Sequence, residues 1–124
     1  MTRSRSNPDK LLFGILGSVP EASDVLASWN AYFRTHSIDA SIDRYPCTEA
    51  TIPERLSEMF HFDRRGYIVG LPLQKAIIRY LDRLDSSATE EGSVDTVLND
   101  HGCLLGYFCN AHAAARRRIW LNAD

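Results

Sequence analysis

Apolar positions along the chain switch between strand-like runs and helix-like stripes, and the switch is sharpest within residues 66–84, GYIVGLPLQKAIIRYLDRL. Residues 67–71 form an apolar run that is too short for a helix and contains Ile and Val, which predicts a buried strand. Pro72 ends the run, because proline has no N–H to give to a ladder. The period then becomes helical. Leu73, Ile77, Leu81 and Leu84 recur at that spacing and Ile78 widens the stripe, which predicts a helix from near Gln74 to near Leu84. In open α/β sheets ligands bind outside the carboxyl ends of strands, so the turn from Gly70 to Gln74 is the predicted binding place.

The flanking pattern supplies the other elements. Residues 11–17, LLFGILG, are apolar throughout, as a strand covered on both faces should be. Residues 21–36 carry Val25, Trp29, Tyr32, Phe33 and His36 at helical spacing, and the aromatic stripe reads as core. Ser23 is either the cap of this helix or a ligand-facing residue. Residues 41–47 alternate in character and include Pro46, which suits an edge strand. Thr51 and Glu54 have the spacing of a capping box, opening a helix with Ile52, Leu56, Met59 and Phe60 facing inward. Residues 61–65 are a polar link into the central strand. Residues 85–92, DSSATEEG, read as a hydrophilic loop. Residues 94–98 and 103–108 form a hairpin around a short turn that ends in Gly102. Asn110 then caps a final helix, with Arg116, Arg117 and Arg118 at its solvated carboxyl end.

This order predicts an α/β fold: a three-layer α/β/α sandwich with a mostly parallel sheet and a C-terminal antiparallel hairpin. At 124 residues the chain is one domain by length. Residues 1–10 are expected to be disordered and 11–124 to form the domain. The polar start followed by a brief apolar stretch reads as a frayed N-terminus leading into the first strand rather than as a signal peptide. A net charge of −2 gives no electrostatic case for nucleic acid or an anionic membrane. No apolar run approaches the roughly 20 residues of a membrane-spanning helix. Cys47, Cys103 and Cys109 match no zinc spacing and read as free thiols of a cytoplasmic protein. His36, His61, His101 and His112 are scattered, so no metal site is expected. GILGSVPEA lacks the glycine spacing of a dinucleotide-binding turn, so no cofactor site is expected in this chain.

Three segments resemble the N-terminal, substrate-binding domain of shikimate dehydrogenases. LPLQKAIIRYLDRL is similar to that family's I-P-H-K-x-x-x-x-x-x-L-D-x-L. GSVDTVLNDHGCLLGYFCN is similar to its G-A-x-N-T-[VI]-x-x-x-x-G-x-[LI]-x-G-x-N-T-D, and FGILGSVPEAS to its first strand and loop. The resemblance implies an enzyme family that reduces 3-dehydroshikimate to shikimate with NADPH held on a second, C-terminal domain. Its acid/base pair is a lysine and an aspartate, since hydride transfer to a carbonyl leaves an alkoxide that must take a proton. By the same alignment the lysine position is Gln74 and the aspartate position is Asn110, both carboxamides here. The family's ring-contacting asparagine falls on Asp95, its carboxylate-holding serines on Ser23 and Val25, and the threonine before I-P on Gly70. The asparagine two residues before that threonine falls on Ile68. Lys75, one position past Gln74, reads as an exposed helix lysine.

The expected site is therefore Ser23, Gly70, Gln74, Asp95 and Asn110, with Gln74 and Asn110 as an uncharged pair and Asp95 making the pocket more negative and poorer for acids. The expected function is a stand-alone, catalytically impaired shikimate dehydrogenase-like domain that binds a small polar ligand, shikimate-like or a polyol, or a partner. One alternative is the substrate-binding part of an NADP-dependent oxidoreductase completed by a separate or missing cofactor domain. Another is a structural homodimer with a relic pocket. Ile119, Trp120 and Leu121 either form its interface or pack back onto the sheet.

Overall fold

The computed structural model describes residues 9–122. The expected disorder of residues 1–10 therefore lies almost wholly outside the described residues. The order is β1 (Leu11–Leu16), α1 (Ala22–Thr35), β2 (Ala40–Tyr45), α2 (Ile52–His61), β3 (Arg64–Val69), β4 (Arg83–Leu84), α3 (Ser86–Glu91), β5 (Thr96–Asp100), β6 (Cys103–Tyr107) and α4 (Ala113–Leu121). The strands form one six-stranded mixed sheet in the order β2-β1-β3-β5-β6-β4. β1 pairs in parallel with β2 and β3, and β4 with β6, while β5 runs antiparallel to both β3 and β6. β2 lies at an edge, as its alternation and Pro46 predict. The expected three-layer α/β/α sandwich is what forms.

Strand alternation builds the two outer layers. On β3, Tyr67 and Val69 join Ile52, Leu56, Met59 and Leu73 on one face, so α2 covers that side. Ile68 points the other way and joins Phe13, Ile15, Trp29, Phe33 and Trp120, the side covered by α1 and α4. Trp120 stacks on Phe13, with centroids 4.6 Å apart, and its Nε1 donates to the carbonyl of Val97 at 3.1 Å. Gly66 makes room for it, because a Cβ there would overlap the indole nitrogen. Trp120 is 1% exposed, so the alternative in which it forms a surface patch with Ile119 and Leu121 is overturned. Packing against Phe13 and bonding to β5 use up the ring that a dimer contact would need.

Several local expectations are corrected. Residues 74–84 are not one α-helix. The chain makes two 3-10 segments, Leu71–Leu73 and Ala76–Tyr80, and then joins the sheet as β4. Sheet pairing outcompetes helix propagation there. Asp82 N–H donates to the carbonyl of Leu104 at 2.9 Å, and Leu104 N–H donates to Asp82 Oδ2 at 2.8 Å. The hydrophilic stretch after it is the short helix α3. Asp85 caps it by accepting from Ser87 N–H at 3.0 Å, and Gly92 ends it at φ 70°. The capping box lies one turn earlier than read, between Thr48 and Thr51, on a 3-10 turn that runs into α2. β3 begins at Arg64, inside the expected link, because its ladder with β1 starts there. Phe60, expected to face inward, is 51% exposed at the edge of the buried stripe of Ile52, Leu56 and Met59. α4 begins at Ala113, so Asn110 does not cap it. The hairpin turn is the two residues His101 and Gly102, both at positive φ.

Candidate functional site

The central strands end where the sequence points. Gly70 N–H donates to the carbonyl of Leu16 at 2.9 Å, bringing the end of β3 against the loop that follows β1. A Cβ on Gly70 would lie 2.6 Å from the carbonyl oxygen of Ser18, a backbone atom that cannot swing away. The two chain ends can close this tightly only around glycine. Beside this junction is a cavity of about 320 Å³. Val19, Pro20, Val25, Ile68 and Leu71 form its apolar walls. Glu21, Gln74, Asp95 and Arg116 supply its polar side chains. A few polar groups converging on an apolar hollow is the usual composition of a small-ligand site, and the volume is at the low end for one.

Gln74 reaches the cavity from the first 3-10 segment. Its Nε2 donates to the carbonyl of Val69 at 3.1 Å, leaving Oε1 without a hydrogen-bond partner among the described residues. The backbone around it is fixed as well: Val94 N–H donates to the Gln74 carbonyl at 2.8 Å.

Asp95 is 3% exposed and sits just before β5. Its Oδ1 accepts from Cys109 N–H at 2.7 Å and from Thr96 Oγ1 at 3.0 Å. Oδ2 accepts from Ala111 N–H at 3.0 Å and lies 3.5 Å from Arg116 Nη2. Four donors thus surround one carboxylate. Arg116, on α4 and 6% exposed, is held further by Nε donating to Thr96 Oγ1 at 2.9 Å and Nη2 donating to the Asp95 carbonyl at 3.3 Å. Burial pulls the Arg116 guanidinium below its usual range, and the Asp95 charge opposes that shift. The network also holds Asn110 and Ala111 at φ 52° and 62°, a left-handed pair of non-glycine residues that the Ala111–Asp95 bond secures.

The sequence-derived residues are only partly gathered here. Gln74 and Asp95 line the cavity, and Gly70 shapes it from behind. Asn110 is exposed and is not among the lining residues; its neighbour Ala111 is. The expected Gln74–Asn110 pair does not form, because the Gln74 amide is spent on Val69 and the left-handed turn carries residue 110 outward. Ser23 is exposed, does not cap α1, and accepts from Arg44 Nη2 at 3.0 Å. Lys75 is exposed, as read. The expectation that Asp95 makes the pocket more negative is corrected: its charge is met by Arg116.

Arg116, expected at the solvated carboxyl end of the last helix, is instead buried in the first half of α4, and Glu21 was missed. Arg116 lies four residues before Trp120, so both share the inward face of α4, and that spacing was a usable signal. Glu21 gave none. It precedes α1 at φ 54° with no side-chain capping bond, a rim position that only the fold reveals. Among the described residues no cluster of His, Cys, Asp and Glu could hold a metal ion, and no helix is long and apolar enough to cross a membrane.

The family described as the shikimate dehydrogenase substrate binding domain matches residues 15–97. A shikimate dehydrogenase (NADP(+)) of Dehalococcoides mccartyi is 35% identical over 104 residues, which is 81% of this chain and 35% of that protein. One from Chlorobaculum tepidum is 30% identical over 115 residues, covering 86% of this chain and 36% of that protein. The Listeria monocytogenes shikimate 5-dehydrogenase solved with shikimate and NAD superposes with a TM-score of 0.78 at 23% identity, covering 99% of this chain and 43% of that one. The Thermus thermophilus enzyme solved with shikimate gives 0.71 at 29% identity, covering 78% and 37%. The chain spans about a third of the length of the curated relatives it matches.

Proposed function

Because the chain belongs to the shikimate dehydrogenase substrate-binding domain family, we propose that it acts as a small-ligand-binding domain whose ancestral proton chemistry is impaired. One observation carries the reading. The cavity beside Gly70 keeps the form of a ligand site, while the positions aligned with the family's acid/base pair are a carboxamide tied to the backbone, Gln74, and one turned out of the cavity, Asn110. Neither carboxamide exchanges a proton near neutral pH, so a reacting oxygen there would lack its partner at both positions. Free Cys47, Cys103 and Cys109 fit a reducing compartment, which supports the cytoplasm as its location.

Calorimetric titration with shikimate, quinate and glycerol tests this reading. Saturable heat at millimolar concentration is expected for at least one of them, with no oxidation of shikimate by NADP. No heat from any of the three rejects a shikimate-like or polyol ligand.

A second reading has its own observation. The chain spans about a third of its curated relatives, and Leu71, at the cavity mouth, is 74% exposed. In this reading a separate cofactor-domain chain covers Leu71 and the pair acts as an NADP-dependent oxidoreductase. The residues described here do not fit the cofactor themselves. The loop after β1 runs Gly17-Ser18-Val19-Pro20 into α1 without the glycine fingerprint of a pyrophosphate site. Shikimate-dependent reduction of NADP on adding a relative's cofactor domain supports this second reading; its absence rejects it.

A further inference from the structure

Three polar groups of the cavity are unspent. Arg116 uses Nε and Nη2 on Thr96 and Asp95, but its Nη1 has no partner among the described residues. Nη1 is also not among the buried orphaned nitrogens, which are Arg65 Nε and Arg117 Nε, so it reaches accessible space. Glu21 lines the same cavity, and its carboxylate makes neither a hydrogen bond nor an ion pair among the described residues. Gln74 Oε1 is free to accept. Asp95 is different, because its four donors leave its oxygens little capacity for a ligand. Val25, Ile68 and Leu71 give the same cavity its apolar walls.

Charge selects among ligands. Of the ionisable side chains lining the cavity, Asp95 and Arg116 are paired with each other, which leaves the Glu21 carboxylate and the spare Nη1 of Arg116. A simple acid would find Arg116 but also meet the unpaired Glu21. A simple amine would find Glu21 but leave Arg116 Nη1 without an acceptor. A ligand carrying both signs on an apolar body satisfies each group without adding net charge. Resting on the reading of this cavity as a ligand site, we infer that it selects a zwitterion with an apolar body, an apolar α-amino acid. The carboxylate sits on Arg116 Nη1, and the ammonium lies toward Glu21 and Gln74 Oε1. The body packs on Val25, Ile68 and Leu71. Arg116 also lines an adjoining cavity of about 210 Å³ together with Asp24.

The probes are L-leucine, isocaproate, which lacks the amine, isoamylamine, which lacks the carboxylate, and shikimate and glycerol. Titrated into the native chain, leucine is expected to bind about tenfold or more tightly than either isocaproate or isoamylamine. Glu21→Gln, at an exposed rim position, should erase the advantage of leucine over isocaproate. The charge-neutral pair Asp95→Asn with Arg116→Gln should erase its advantage over isoamylamine. Should that pair lose its cooperative thermal transition, the comparison of ligands on the native chain and on Glu21→Gln decides alone. Leucine binding no tighter than isocaproate overturns the inference. Binding of shikimate or glycerol without leucine also overturns it, but leaves the ligand-site reading intact. If no probe binds, both fall.

Discussion

Replacing Asp95 with alanine removes the acceptor of four donors at once. Arg116, 6% exposed, is left as a buried cation without its carboxylate, and the N–H groups of Cys109 and Ala111 lose bonds of 2.7 and 3.0 Å. Breaking one side of a buried ion pair costs about 3–5 kcal/mol, and each orphaned donor about 1–3 kcal/mol. These contributions share one site and do not add, so about 4–5 kcal/mol is the working figure. That is a large part of the roughly 5–15 kcal/mol that holds a domain of this kind together. With about 3–5 °C of Tm per kcal/mol for a chain between the small and mid-sized classes, Tm should fall by roughly 12–25 °C. Asp95→Asn should cost less, because one amide oxygen can still accept from Cys109 or Ala111. Thermal unfolding followed by circular dichroism, with urea titration to check the slope, measures both variants. If Asp95→Ala costs under about 1 kcal/mol, the carboxylate is not the organiser of this end of the sheet. A cycle with Arg116→Gln separates the ion pair from the backbone bonds: Asp95→Asn and Arg116→Gln together should be milder than the sum of the two.

Two further outcomes follow from single residues. Burial pushes the Tyr67 hydroxyl up to about 12, with Arg64 opposing the shift, and Tyr67 donates to the carbonyl of Arg55 at 2.8 Å. A neutral phenol favoured in the folded state stabilises fully below about pH 10 and is lost as pH rises toward 12, a swing of about 3 kcal/mol. Urea midpoints measured between pH 9 and 11.5 should fall, and Tyr67→Phe should flatten that part of the profile; an unchanged slope refutes the assignment. Gly70→Thr, the residue that the family pattern carries at this position, should destabilise by about 1–3 kcal/mol, because its Cβ meets the Ser18 carbonyl. A neutral result by thermal unfolding would mean that the β1–α1 loop yields more easily than its contacts imply.

The chain's own pattern was enough for the sandwich, the edge position of β2, the inward aromatic stripe of α1 and the turn beside which a cavity opens. Each depends on periodicity and on residues with fixed backbone habits, such as Pro72 and Gly102, and those act over a few positions. The family motifs located Gln74 and Asp95 because a motif records backbone spacing, which this fold preserves. Three-dimensional pairing settled the rest. The run after Pro72 has helical spacing yet becomes 3-10 turns and a strand, because hydrogen bonds to Leu104, far along the chain, win over the local preference. Asn110 faces outward because Asp95 pulls the backbone beside it inward. The partner of Asp95 is Arg116, and a charge 21 positions away cannot be read as a neighbour until β5 and α4 are packed together.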